Sequence, residues 1–178
     1  GLDLFKAPSH STGTITTGGS ESILLAVKAA REKMKLKNKN FGQYNIVVPE
    51  SAHPAFDKAC CLMDIQIKRA NLLSSYKVNT HHLESLVDKN TMMIVGSAPC
   101  FPHGVVDPIE DLAKISTKLD LWLHVDACVG GYILPFFKMI GRKISDFDLS
   151  LYGVSSLSAD LHKFAFCPKP ISTVFFKN

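Results

Sequence analysis

The chain has 178 residues, 46% hydrophobic and 20% charged, with a formal net charge of +4. That length and balance suit a single folded unit with a real core, and they exclude a disordered or collagen-like chain. No run approaches the ~18 apolar residues that span a membrane, and no signal-peptide pattern opens the sequence, so the expectation is a soluble chain.

The elements read clearly in chain order. Residues 20–37 predict a helix, because Ile23, Leu24, Val27, Ala30 and Met34 recur at helical spacing. Its end lies in the basic run 28-KAAREKMKLKNKN-40, with six basic residues and one acid. Lysines there complement the helix dipole, and no aromatic residues interleave as they would in a nucleic-acid surface. No nucleic-acid partner is expected. Next come the apolar strand 44-YNIVVP-49, a helix over 53–64, the alternating strand 65-IQIKRA-70, a helix over about 80–88 and the strand 91-TMMIVGS-97. The following helix has the clearest start. Asp107 reads as its N-cap, Pro108 as its first residue and Glu110 as the capping-box partner, with an end near Leu119. The strand 121-LWLHVDA-127, a helix over 133–140 and the strands 151-LYGVSSLS-158 and 172-STVFF-176 complete the chain.

Strands alternating with helices define an α/β layer fold with a mostly parallel sheet flanked by helices. Ligands in such folds collect at the carboxyl ends of the strands. The five cysteines, Cys60, Cys61, Cys100, Cys128 and Cys167, are odd in number and form no CxxC pair. A reduced, cytosol-facing setting fits them better than a disulfide framework.

Four stretches place chemistry at strand ends or helix starts. In 13-GTITTGGSES-22, Gly19 and Ser20 stand at a helix start, where free N–H groups and the helix dipole suit a phosphate or carboxylate. A tight turn with Ser20 as a plain N-cap is the alternative. In 121-LWLHVDAC-128, Asp126 ends an apolar strand and either takes backbone hydrogen bonds or faces a ligand cation. His124 shares its face, but no cluster with metal-ligand spacing surrounds the pair, and no metal is expected. In 156-SLSADLHKFAF-166, Lys163 has apolar neighbours and follows Asp160 and His162, and a plain surface lysine is the alternative reading. A lysine whose pKa is lowered in such a place attacks carbonyl groups to form a Schiff base. In 51-SAHPAF-56, His53 opens a helix, either as a cap or packed residue or as a flat ring over a planar cofactor. A phosphate cradle, a flat ring, a strand-end carboxylate and a Schiff-base lysine are together what pyridoxal 5'-phosphate requires. The carboxylate keeps the pyridine nitrogen protonated so that the ring draws off electrons.

The segments 13-GTITTGGSESILLAVKAAR-31, 46-IVVPESAHPAFDKA-59, 97-SAPCFPHGVVDPI-109, 122-WLHVDACVGG-131 and 155-SSLSADLHKFAFCPK-169 carry a family resemblance. The chain resembles the group II decarboxylase family of pyridoxal phosphate enzymes. HVDA and SADxHK mark that family generally, whereas FPHGVVDP and SAHPAFDKA point more narrowly to its sphingosine-1-phosphate lyases. The resemblance implies an aspartate-aminotransferase-like, type I fold, with residues 1–178 as the cofactor-binding large domain. The family's N-terminal extension and C-terminal small domain lie outside these residues.

It also implies roles. Lys163 would hold the cofactor as a Schiff base, Asp126 would pair with the pyridine nitrogen, and His53 would stack on the ring. Gly19 and Ser20 would bind the phosphate with Ser97 and His162 as further candidates, and Cys128 would sit under the ring. The implied protein is a homodimer, associated with the endoplasmic reticulum where the family carries a membrane anchor. The implied reaction is retro-aldol cleavage of phosphorylated sphingoid bases to a fatty aldehyde and phosphoethanolamine. Amino-acid decarboxylation, or cofactor binding without turnover, is the alternative. Phe164 stands where the family usually carries tyrosine, and Ala165 and Pro170 where it carries glycine. A left-handed backbone at Ala165 would be strained, and Pro170 removes an N–H.

Overall fold

The structure is a computed structural model that describes residues 1–37 and 42–177. It contains one seven-stranded sheet in the order β1-β7-β6-β5-β4-β2-β3. The strands are β1 (Thr12–Thr16), β2 (Asn45–Pro49), β3 (Gln66–Ala70), β4 (Thr91–Ser97), β5 (Trp122–Asp126), β6 (Val154–Ala159) and β7 (Ser172–Phe176). Only β7 breaks the parallel pattern among these strands, pairing antiparallel with both β1 and β6.

The helices are α1 (Gly19–Lys37), α2 (Ala55–Met63), α3 (Thr80–Ser85), α4 (Ile109–Leu119) and α5 (Leu134–Met139). Strand alternation assigns them to two faces. Ile46, Val48, Met93 and Val95 pack with Ile23, Val27, Phe56 and Cys60 of α1 and α2. Val47, Ile94, Leu123 and Val125 pack with Leu83, Ile109, Leu112 and Leu134 on the opposite side. Successive strand side chains point to opposite faces, so each central strand feeds both cores.

Two expectations need correction. Asp107 does not cap α4. Pro108 holds the cap position without a side-chain cap. The Asp107 carboxylate is buried instead, and it accepts hydrogen bonds from the N–H groups of Val78 (2.8 Å) and Ser97 (2.9 Å). Burial pushes its carboxyl up, against the pull of those two donors. Glu110 is drawn away from the cap as well, accepting from the Asp146 N–H at 3.1 Å. The second correction is β1, a strand that the sequence pattern does not predict.

The basic run is largely committed to contacts within the chain. Lys35 pairs with Glu32 at 3.2 Å, Lys37 with Asp120 at 2.6 Å, and Lys33 lies 5.4 Å from the Trp122 ring centroid. Residues 38–40 of the run lie outside the described residues.

His124 on β5 sits fully buried against Phe56. Its Nδ1 is 2.7 Å from Ser156 Oγ and its Nε2 is 3.2 Å from Ser158 Oγ. Burial lowers its pKa from 6.5 to about 3, so the ring is neutral at pH 7. Below pH 6.5 the unfolded chain binds a proton that the folded chain refuses. Folding stability must therefore fall with pH across that window, by about 2 kcal/mol between pH 7 and 5. Melting curves at the two pH values should show this loss, and His124→Gln should flatten the dependence by roughly one proton.

Candidate active site

At the carboxyl ends of the central strands lies a cavity of about 680 Å³, within the usual range for small-molecule and cofactor sites. The N-terminus of α1, the start of α2, the end of β5 and the turn after β6 form its wall. The structure brings Gly19, Ser20, His53, Asp126, Cys128, His162 and Lys163 to this one cavity. Ser97 is buried at the end of β4, beside Asp126 in register, and is not part of the lining.

Each side chain is held by local structure. α1 starts where Thr17 donates from both its N–H and its hydroxyl to Glu21 Oε2, at 2.6 and 2.7 Å. The first N–H groups of a helix have no intrahelical acceptor, and those of Gly19 and Ser20 stand in the lining segment 17–21. His53 accepts the Ala55 N–H on Nδ1 at 3.1 Å, which leaves the proton of the neutral ring on Nε2. It is thus both a helix-start acceptor and a cavity residue. Asp126 is buried, and its Oδ1 accepts the Cys128 N–H at 3.0 Å. The Cys128 thiol donates to Ser158 Oγ at 3.4 Å. Burial first, then the Asp126 and Asp160 carboxylates, push that thiol well up, so it stays protonated. His162 Nδ1 lies 2.6 Å from the Ile171 carbonyl oxygen, the closer of its two contacts with that residue and the one that calls for a proton on Nδ1.

Lys163 differs from the expectation of a lowered pKa. Burial does pull it down, but the hydrogen bond to Asp160 at 2.8 Å and the charges of Asp160 and Asp126 outweigh burial, and the net direction is up. The amine is a paired ammonium here. Asp160, in sequence only a neighbour of Lys163, is its ion-pair partner. The Asp-x-x-Lys spacing across a turn was the available signal.

The family departures also resolve. The left-handed residue of this turn is Phe166 (φ 57°), not Ala165, so alanine is unstrained there. Pro170 does line the cavity, and no N–H is offered at that point.

Gly19 is required by close approach. A Cβ on it would stand 2.8 Å from Asp160 Oδ1 and 3.0 Å from Cys128 Sγ. Gly19→Ala should therefore weaken cofactor binding by about tenfold or more, since overpacking of this kind typically costs 1–3 kcal/mol. Titrating the cofactor by absorbance checks this.

A mostly parallel, seven-stranded sheet with this cavity at its strand ends defines the class: type I pyridoxal phosphate-dependent enzymes. Residues 2–178 match the pyridoxal-dependent decarboxylase conserved domain, and the chain belongs to that family. It is 43% identical to a sphingosine-1-phosphate lyase of Arabidopsis thaliana over 166 residues, 93% of this chain and 30% of that protein. A probable L-tyrosine/L-aspartate decarboxylase of Methanosarcina barkeri is 40% identical over 171 residues, 96% of this chain and 42% of that protein. The solved sphingosine-1-phosphate lyase of Burkholderia pseudomallei superposes with a TM-score of 0.95 at 37% identity, over 99% of this chain and 42% of that one. The chain spans about a third of the length of the curated lyases it matches.

The family's cofactor is pyridoxal 5'-phosphate, and the residues present fit it. A helix start opened by a glycine suits the phosphate, and an amine stands within the same cavity as a buried carboxylate. Asp160 Oδ1 is buried without a hydrogen-bond partner, as a site shaped for a further polar group would leave it. Among the described residues no group of three or more His, Cys, Asp or Glu is arranged to hold a metal ion.

Proposed function

We propose that residues 1–178 form the cofactor-binding large domain of a pyridoxal phosphate-dependent carbon–carbon lyase. Its substrates are phosphorylated sphingoid bases such as sphingosine 1-phosphate, and its products a fatty aldehyde and phosphoethanolamine, a step in sphingolipid breakdown. The observation that carries the reading is the 42–43% identity to sphingosine-1-phosphate lyases along nearly the whole chain.

When bound, pyridoxal phosphate supplies an electron sink for the pair released as a carbon–carbon bond breaks. The chain's own residues supply the rest. Lys163 would hold the cofactor through Nζ, an amine of the cavity lining that can attach to an aldehyde. Asp126, fixed by the Cys128 N–H, would hold a proton at the pyridine nitrogen. The N–H groups of Gly19 and Ser20 bind phosphate at the start of α1, with His162 beside them. His53, oriented by Ala55 and by an edge contact with Phe101 at 5.6 Å, would offer its ring to the cofactor. Cys128 would present a neutral thiol to the cofactor from the cavity wall.

The reading includes a homodimer, and the exposed Phe136, Phe137, Met139 and Ile140 around α5 supply apolar surface that a second copy could cover. It also includes an endoplasmic reticulum location for the whole protein. Among the described residues no helix is long and apolar enough to cross a membrane.

Likeness to the Methanosarcina decarboxylase supports a second reading, amino-acid decarboxylation. Incubating the cofactor-loaded whole protein with sphingosine 1-phosphate and, separately, with L-tyrosine and L-aspartate decides between them. Long-chain aldehyde from the first is the expected result. Carbon dioxide from the amino acids with no aldehyde overturns the lyase reading, and neither product would mean binding without turnover.

A further inference from the structure

His124 of the HVDA motif is fully buried and does not line the cavity. It shares a face of β5 with Asp126, two residues on. Across to β6, His124 pairs in register with Ser156, and Asp126 with Ser158. A chain of hydrogen bonds runs along this face. Trp122 Nε1 lies 2.7 Å from Ser156 Oγ, and that oxygen lies 2.7 Å from His124 Nδ1. His124 Nε2 lies 3.2 Å from Ser158 Oγ, and the Cys128 thiol reaches the same oxygen at 3.4 Å. The Cys128 N–H then donates to Asp126 Oδ1 at 3.0 Å.

Trp122 sets the direction of the chain. An indole N–H only donates, so Ser156 Oγ accepts there and has its single proton left for His124 Nδ1. A neutral ring that accepts on Nδ1 carries its proton on Nε2, and it donates that proton to Ser158. Ser158 Oγ therefore receives two donors, the imidazole and the Cys128 thiol. Burial keeps the ring neutral at pH 7. Neutrality matters here, because a cation two residues from Asp126 on the same face would compete for its charge.

We propose that His124 is a positioning residue of the site. Its Nε2–H holds Ser158, Ser158 holds the Cys128 thiol, and Cys128 thereby keeps its N–H on one oxygen of Asp126 and leaves the other to the ligand. The inference deepens the reading of Asp126 as partner of the pyridine nitrogen, and it rests on that reading. The Asp126 backbone is held separately, its carbonyl accepting the Ala98 N–H at 2.8 Å, so the chain acts on the carboxylate. Cys128 is tied at two points, its N–H and its thiol, and the thiol ends on a hydroxyl that His124 anchors. Without that anchor Ser158 can turn, the thiol loses its fixed acceptor, and the carboxylate gains the same freedom. A small misplacement of a reacting group costs turnover more than it costs folding.

In the cofactor-free whole protein, the nitrogen NMR shifts of the His124 ring should place its proton on Nε2. A proton on Nδ1 overturns the proposal. Ser158→Ala and His124→Leu cut the chain at two points. With pyridoxal phosphate loaded, each should lower kcat about tenfold. Beside Asp126→Asn the same changes should cost less than about twofold, because the carboxylate they act on is gone. The affinity for pyridoxal phosphate, titrated by absorbance, should follow the same pattern. His124→Gln, whose amide nitrogen can replace Nε2 as donor to Ser158, should return kcat to within about threefold of the unchanged protein. A role in packing alone would lower the melting temperature of all these variants and add its loss to that of Asp126→Asn. Additive losses, or a glutamine no better than leucine, overturn the proposal. An Asp126→Asn protein with unchanged turnover would overturn the reading of Asp126 and the positioning role with it, while the ring tautomer would stand.

Discussion

Lys163→Ala should leave a folded protein that retains no covalently attached pyridoxal phosphate and turns over about 10³-fold or more slowly. Nζ is the only atom of this side chain that can attach to the aldehyde, so truncation removes the attachment outright. It also strips Asp160 of its 2.8 Å donor, leaving a buried carboxylate with only the 3.6 Å approach of His162. A lower melting temperature in the alanine variant is therefore expected from the orphaned charge. Lys163→Arg separates the two effects. Guanidinium keeps a cation beside Asp160 but stays protonated at any working pH. Arginine should thus restore much of the stability and none of the attachment. The Schiff-base absorbance, the melting temperature and the aldehyde assay, read on the three proteins, check each part.

Asp126→Asn should have the second-largest effect, with a different signature. The amide can still take the Cys128 N–H, so the cavity floor should keep its shape. What it loses is the negative charge that, in the proposed reading, would hold the pyridine nitrogen protonated. Loss of one preorganised electrostatic contact of this kind typically lowers kcat by about 10²–10³-fold. Attachment to Lys163 should survive, visible as retained absorbance and retained borohydride-fixed label. A variant that turns over normally would remove Asp126 from the site. The contrast matters more than either magnitude: the proposed reading needs Lys163 to hold the cofactor and Asp126 to make it an electron sink.

The sequence made the central sheet legible because its strands are short, apolar and bounded by helical periods. β4, buried along its full length, and β5 could be read directly. β1 could not, since TGTIT is polar, carries glycine and lies exposed along an edge. Its strand character comes from pairing with β7, from the far end of the chain. The same limit explains Asp107. Its local context spells a cap, but its partners, Val78 and Ser97, are distant in sequence, and a pair of buried backbone donors outweighs one helix end.

The site was legible where a motif concentrates it, as in HVDA and SADLHK. It was illegible where meaning depends on packing. Asp160 gains its place only from the approach of Gly19, which no local pattern announces. The direction of the Lys163 shift was likewise hidden. Apolar neighbours suggested a depressed amine, and the charge that reverses this is three residues away across a turn.

The most direct test is to load the whole protein with pyridoxal phosphate, reduce it with borohydride, digest it and locate the modified lysine by mass spectrometry. The structure predicts the label within residues 155–169, on Lys163. Label on another lysine, with 155–169 unmodified, would contradict it.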